Sequence, residues 1–410
     1  MHLYVVPLLF VLAGLVFYTV LGGADFGAGI WQLIAGSGES GDRIRQHAHE
    51  SMAPVWEANH VWLIFVITVT WTAYPMAFGS IASTLSIPLF IAALGIILRG
   101  ATYALRAGAT TPAEARRIDT AFAISSLLTP FTLGTCIGAL AARRVPIGNA
   151  AGKLFSSWLN PTSVVIGVIA VLSSAYLASV YLAADGARRQ DPQLEDAFRG
   201  RALVAGVLAG AAAAAGLIVI DLNAPFLFRG LTSGGGLVAL IVSFLAGLGA
   251  IVLVWLRRFE PARYVAALTV AAVVAGWGLA QQPIMLEGLT VRQAAAPYDT
   301  LVVIVGAVVA GGVILFPSLA LLFRLFLSGH LGETAADFRA PVTRAPGTVR
   351  ASLRAGLARL ALAAFLAGLI LVVFIDAEWG QLLGAACLIA CVVLGFVAVD
   401  PPAVAGRGDA

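Results

Sequence analysis

Charge is what this chain has least of. Of its 410 residues, 11% are Asp, Glu, Lys or Arg, where a soluble domain carries about 25%. With 60% hydrophobic residues and a mean hydropathy of +0.95, such a chain cannot keep a water-facing surface all round. Cysteine is scarce as well. Cys136, Cys387 and Cys391 all fall in apolar stretches, without C-x-x-C spacing or a His/Cys array, which argues against a disulfide framework or a zinc site. There are 5 histidines and 4 methionines. Only His60 lies in an apolar span, so no ligand set for haem or copper stands out. No Walker sequence, short repeat or large polar domain occurs. The net charge of +4 follows from loop arginines and does not point to nucleic acid.

What remains is a succession of apolar runs, which predicts an all-α, polytopic membrane helix bundle. The spans fall at roughly 7–33, 56–75, 81–105, 119–142, 162–184, 201–221, 232–256, 263–282, 300–327, 355–375 and 380–399. The first lacks the basic flank and small-residue cleavage site of a secretory signal, so it is expected to stay as a helix. Pro75, Pro161, Pro261 and Pro283 punctuate span ends, while Pro88, Pro130 and Pro317 lie inside spans and are expected to kink them. Residues 1–327 read as one membrane domain. Residues 328–354 read as an Arg-rich cytoplasmic linker, and 355–410 as an extra hairpin and tail.

Arginine sets the orientation. With the N-terminus outside, the inner segments hold Arg43, Arg45, Arg106, Arg188, Arg257 and most of the others. The outer loops hold only Arg143, Arg144, Lys153, Arg229 and Arg292. The positive-inside rule therefore predicts N-terminus out and C-terminus in.

Against this apolar background the few ionisable groups in spans are candidates for function, because charge in the hydrocarbon region is costly unless it serves something. Asp25 lies in Gly22-Gly23-Ala24-Asp25-Phe26-Gly27-Ala28-Gly29. Small residues let a second helix approach closely, so Asp25 is expected in a protein-lined place, either as a proton carrier or as a packing hydrogen bond. Glu57 and His60, in Trp56-Glu57-Ala58-Asn59-His60-Val61-Trp62, stand three apart and share a helical face. They either pass a proton or simply begin a helix. Trp56 and Trp62 suit the membrane interface. Arg99 is a counter-charge for Asp25 or Glu57, or else it reaches the interface. Asp119 reads as a first-turn acid. His47 and His49 are expected as polar residues of an inner loop.

Those two motifs resemble subunit II of cytochrome bd-type quinol oxidases. Thr129-Pro130-Phe131 with Gly134, Gly276-Trp277-Gly278-Leu279-Ala280-Gln281 and Phe316-Pro317-Ser318-Leu319 are similar to the same family. The resemblance covers roughly residues 1–327 and implies nine spans, which leaves the last two outside the family pattern. It implies a heterodimer with a larger subunit I that carries two b-type haems and haem d or its b-type replacement, with the quinol site on the outer side. A small accessory subunit and membrane lipid are further partners to expect, in the cytoplasmic membrane of a bacterium. The implied reaction oxidises quinol and reduces O2 to water with protons drawn from the cytoplasm. Asp25, Glu57 and His60 would then belong to a proton route, with Trp56, Asn59, Arg99 and Asp119 in support. Many family members carry aspartate where this chain has Gly22, and aspartate in place of Glu57. The rival reading from the residues alone is a proton-coupled secondary transporter, although no inverted repeat is visible. A third is a purely structural subunit.

Overall fold

The computed structural model describes residues 2–106 and 112–327, with isolated helical positions between 356 and 390. The side chains of residues 50, 52–58, 103–104, 106, 112–116, 316 and 319–327 lie outside the description. The chain divides into a unit Met1–Ile314 and a unit Leu315–Ala410; the first carries every site discussed below.

The described chain is a helix bundle, as the apolar runs require. Its order is α1 (Val6–Leu33), α2 (Gly38–Ala73), α3 (Pro75–Thr84), α4 (Ser86–Arg106), α5 (Pro112–Ala141), α6 (Pro161–Arg188), α7 (Pro192–Asn223), α8 (Pro225–Leu231), α9 (Gly234–Trp255) and α10 (Phe259–Gln281). A small hairpin, β1 (Ile284–Leu286) and β2 (Leu289–Thr290), then α11 (Val291–Ala294), lead into α12 (Tyr298–Leu327). Seven of the described helices are long and apolar enough to cross a membrane, or eight if the bent pair α3–α4 is counted as one span. The expected second span corresponds to the apolar half of α2, Asn59–Ala73. The two expected C-terminal spans and the 328–354 linker lie outside the described residues, apart from isolated positions.

Helix starts follow their sequence signals. Asn160 caps α6 by accepting from Ser163 N, with Pro161 as the first helical residue. Asp191 caps α7 by accepting from Gln193 N and Leu194 N, ahead of Pro192. α5 runs through Pro130 and α12 through Pro317. The bend expected at Pro88 falls just before it, as an 83° angle between Pro75–Thr84 and Ser86–Thr102. Proline has no N–H with which to close the carbonyl four residues back, which is that of Thr84.

One expectation fails at the basic end of the bundle. The stretch read as an inner loop is helical, since α2 begins at Gly38. Ile44, His47 and Ala48 form a buried stripe at helical spacing, and it packs into the cluster that holds Leu182 and Phe198.

α1 and α6 are the central helices. α1 packs against α2, α5, α6 and α10, and α6 packs against α1, α5, α7 and α10. Their mutual approach is backbone-close. A Cβ placed on Gly27 would lie 1.9 Å from Ser174 O, so only glycine allows this contact. Trp31 Nε1 donates to Ala175 O at 2.7 Å just beyond it.

Candidate functional site

The ten residues Gly22–Trp31 of α1 are buried throughout. Glycines and alanines hold α6 on one side, and Asp25 faces the helices on the other. Arg99, from α4, reaches it with two arms. Its Nε donates to Asp25 Oδ2 at 2.9 Å and its Nη2 to Oδ1 at 2.5 Å. The same Nη2 also donates to the Asp25 backbone carbonyl at 2.7 Å. Asn59, from α2, donates its Nδ2 to Asp25 Oδ2 at 3.1 Å. Ser126, from α5, accepts from Arg99 Nη1 and passes its own hydrogen to Phe122 O at 2.6 Å.

Four helices therefore meet on one ion pair, and Asp25, Arg99, Asn59 and Ser126 are each 0% exposed. The guanidinium lies between two rings, 5.1 Å from the Phe26 centroid and 4.1 Å from that of Phe122, a favourable placement for a cation shielded from water. Gly29 makes room for it, since a Cβ there would lie 2.0 Å from Ser126 Oγ and 3.1 Å from Arg99 Nη1. A buried pair of this kind is tolerable because both partners are hydrogen-bonded, Asp25 through both carboxylate oxygens and Arg99 through all three guanidinium nitrogens.

The candidate residues divide around this pair. Arg99 is the counter-charge of Asp25, and Asn59 joins them directly. His60 follows on α2 and is half-buried. Trp56 and Glu57 belong to the helical backbone of α2, but their side chains lie outside the described ones. Asp119 is half-buried on α5. With Gln32, Asp42, Arg45, Gln46 and His49 it lines a cavity of about 360 Å³. Gln32 lies seven residues beyond Asp25 on α1, and Asp119 seven before Ser126 on the antiparallel α5. Seven residues bring a helix back to the same face about 10 Å along, so this polar cavity sits two turns from the ion pair, toward the basic end.

His47 differs from the expectation. It is 3% exposed, its Nε2 lies 3.1 Å from Leu182 O and its Nδ1 3.9 Å from Asp185 Oδ2, and its ring packs on Phe198. It fastens α2 to α6. Trp62, expected at the interface, stacks on Phe17 with centroids 4.4 Å apart. Gln281 bridges helices, its Nε2 reaching Leu140 O at 3.4 Å. Ser126 was missed altogether. The signal available for it was the hydroxyl-rich run Ser125, Ser126, Thr129, Thr132 in an otherwise apolar span.

These residues do not fit a haem. The space around the pair is filled by Phe26, Phe122 and the guanidinium itself, and the His47 ring is held between Leu182 O and Phe198. Among the described residues no three His, Cys, Asp or Glu side chains converge as metal ligands.

Comparison with known proteins shows the family and the fold. The chain is 28% identical over 168 residues to the cytochrome bd ubiquinol oxidase subunit 2 of Bacillus subtilis (strain 168), a match to 40% of this chain and 48% of that one. It is 23% identical over 330 residues to a putative cytochrome bd menaquinol oxidase subunit II of the same organism, covering 77% of this chain and 93% of the relative. The chain thus spans about half of the first relative and nearly all of the second. The solved structure of bd oxidase from Geobacillus thermodenitrificans contains a chain of the same fold, with a TM-score of 0.60 and 23% identity over 80% of this chain and 99% of that one. The family description "Cytochrome bd terminal oxidase subunit II" matches residues 3–326, the stretch that contains every helix around the Asp25–Arg99 pair. By that match the chain belongs to the cytochrome bd terminal oxidase subunit II family.

Proposed function

We propose that this chain is the subunit without haem of a membrane complex that oxidises quinol and reduces O2 to water. The haems, two of b type and haem d or its replacement, reside in a larger subunit I. This chain supports assembly with that partner and lines a proton-uptake route from the cytoplasm. The N-terminus faces outward across a bacterial cytoplasmic membrane, which places the arginine-rich end and the Asp119 cavity on the cytoplasmic side.

The observation that carries the reading is the buried pair of Asp25 and Arg99, set two turns inside a polar cavity in a bundle of this family. The four electrons that reduce O2 draw four protons, and the protein must offer them a polar track through hydrocarbon. Asp25 is the fixed member of that track. Both its oxygens are taken by Arg99, so it orders Asn59 and Ser126 around it. Glu57 and His60, three residues apart on α2, carry the proton past it, and Asp119 collects protons at the cytoplasmic mouth.

Glu57→Gln tests the assignment, because it keeps shape and removes the ionisable proton. In the purified complex, quinol-driven O2 consumption is expected to fall roughly 100-fold while haem absorbance and subunit stoichiometry stay at the parent level. Parent-level turnover in Glu57→Gln would remove Glu57 from the route.

A further inference from the structure

Two buried polar atoms near the ion pair have no hydrogen-bond partner among the described residues. One is the Tyr18 hydroxyl, the other the Asn59 Oδ1. Tyr18 is 7% exposed and Asn59 0%, so neither atom meets bulk water. A buried polar atom left without a hydrogen bond is costly, and proteins generally satisfy it with ordered water when two or more such groups converge.

The amide orientation of Asn59 follows from chemistry. Asp25 Oδ2 can only accept here, so Asn59 must offer its Nδ2 to it, as observed at 3.1 Å. The carbonyl oxygen then points away from the carboxylate and can only accept. A hydroxyl both donates and accepts, so Tyr18 and a water molecule can complete it.

Helix register brings the two together. α1 and α2 run antiparallel. Phe17 stacks on Trp62, and a Cβ on Gly14 would meet Val66 and Phe65. Asn59, three residues before Trp62, therefore stands opposite the turn of α1 between Tyr18 and Asp25. The Tyr18 ring leans into that turn. Its Cε2 and Cδ2 lie 3.5 and 3.7 Å from a Cβ built on Gly22, so the ring lies along the stretch of α1 that leads to Asp25. Phe26 meets the same Gly22 surface from the other side at 3.5 Å, and Phe26 is the ring beneath Arg99. Tyr18 is close enough to Asp25 and Arg99 to feel both charges.

We propose that Tyr18 Oη and Asn59 Oδ1 hold one internal water against the Asp25–Arg99 pair, and that Tyr18 is thereby a positioning residue for proton transfer. The inference rests on the proton-route reading above and extends it. Tyr18 carries the polar track two turns of α1 beyond Asp25, away from the basic end. The water donates to Asn59 Oδ1 and exchanges a hydrogen bond with Tyr18. Tyr18 itself need not ionise; it fixes where the water sits.

The test uses the intact two-subunit complex in lipid nanodiscs. A cryo-EM map that resolves other internal waters is expected to show density within hydrogen-bond reach of both Tyr18 Oη and Asn59 Oδ1. Absence of density there in such a map overturns the proposal, with no variant needed. Tyr18→Phe removes one hydroxyl and nothing else. It is expected to assemble with full haem absorbance, to lose that density and to slow proton uptake after an O2 pulse by about tenfold, the kinetic counterpart of one hydrogen bond. Its solvent isotope effect should rise with it, which a purely structural hydroxyl would not cause. Slowed uptake in Glu57→Gln with parent-level uptake in Tyr18→Phe overturns the water station and leaves the route standing. Parent-level uptake in both variants overturns the route and the station together.

Discussion

Arg99 grips Asp25 with two side-chain hydrogen bonds, at 2.9 and 2.5 Å, and neither residue touches solvent. Removing one member strands the other as an unpaired charge in a closed site, a loss of about 3–5 kcal/mol. Asp25→Asn and Arg99→Met are therefore each expected to lower the yield of assembled, haem-bearing complex. The double replacement Asp25→Leu with Arg99→Met should recover part of that yield, because it removes both charges, but not turnover. Thermal unfolding and haem absorbance of the three variants check this. A double variant no more stable than either single one would show that the pair is not the element at fault.

The α1–α6 contact makes a second prediction. Gly27→Ala places a methyl 1.9 Å from Ser174 O, whereas Gly22→Ala meets only ring edges at 3.5 Å. Overpacking of backbone against backbone costs about 1–3 kcal/mol or more, and an ordinary contact costs little. The melting temperature of the complex is expected to drop clearly for Gly27→Ala and hardly at all for Gly22→Ala. Equal losses would mean that helix propensity, not interhelix distance, sets the effect.

A third concerns acid. Asp191 caps α7, and the hydrogen bond from Leu194 N, followed by the neighbouring Arg43 at 2.6 Å, holds its carboxyl below the ordinary carboxylate range. A lowered folded value means stability that is fully present above the ordinary range and is lost as the pH falls through the folded value. Asp191→Asn keeps a cap but cannot titrate. The parent's advantage over Asp191→Asn in melting temperature should hold steady near neutral pH and shrink below about pH 4. An advantage that stays constant down to pH 3 would assign it to shape alone.

The fourth concerns the tail. Residues 355–410 extend beyond the matched stretch, which ends at residue 326, and the two apolar runs within them carry no Asp, Glu, Lys, Arg or His in their central portions. Truncation after about residue 330 is expected to leave quinol oxidase turnover largely intact and at most to weaken assembly. A truncated complex with full haem content and no turnover would give the tail a catalytic part.

Much of this could be read from the amino acids. Apolar length was enough to show a membrane helix bundle, with seven or eight of the expected spans found among the described residues, and Pro161 marked the start of α6. Asp25 and Arg99 were visible as charges in hydrocarbon, although 74 residues separate them and Glu57 competed for the same arginine. Burial of His47 was not legible. Its neighbours Gln46 and His49 are polar, and the apolar partners on α6 and α7 that define its buried face lie more than 130 residues away. Ser126 was hidden for the same reason. A serine in a membrane helix ordinarily bonds its own backbone, and only the position of Arg99 gives Ser126 Oγ a second use.

The separation of Asp25 from Arg99 has a consequence for how the chain is made. α1 emerges from the ribosome before α4, and Arg99 follows Asp25 by 74 residues. At about 5–20 residues per second, the acid waits on the order of several seconds in the insertion machinery without its counter-charge. Over that interval an otherwise strongly apolar α1 holds an unpaired acid, and the full stability of its seat in the bilayer depends on α4 arriving. Chains arrested before residue 99 should consequently be withdrawn and degraded faster than chains arrested after α5, a difference that pulse-chase of stalled nascent chains would reveal. Equal lifetimes would mean that α1 seats itself in the bilayer unaided.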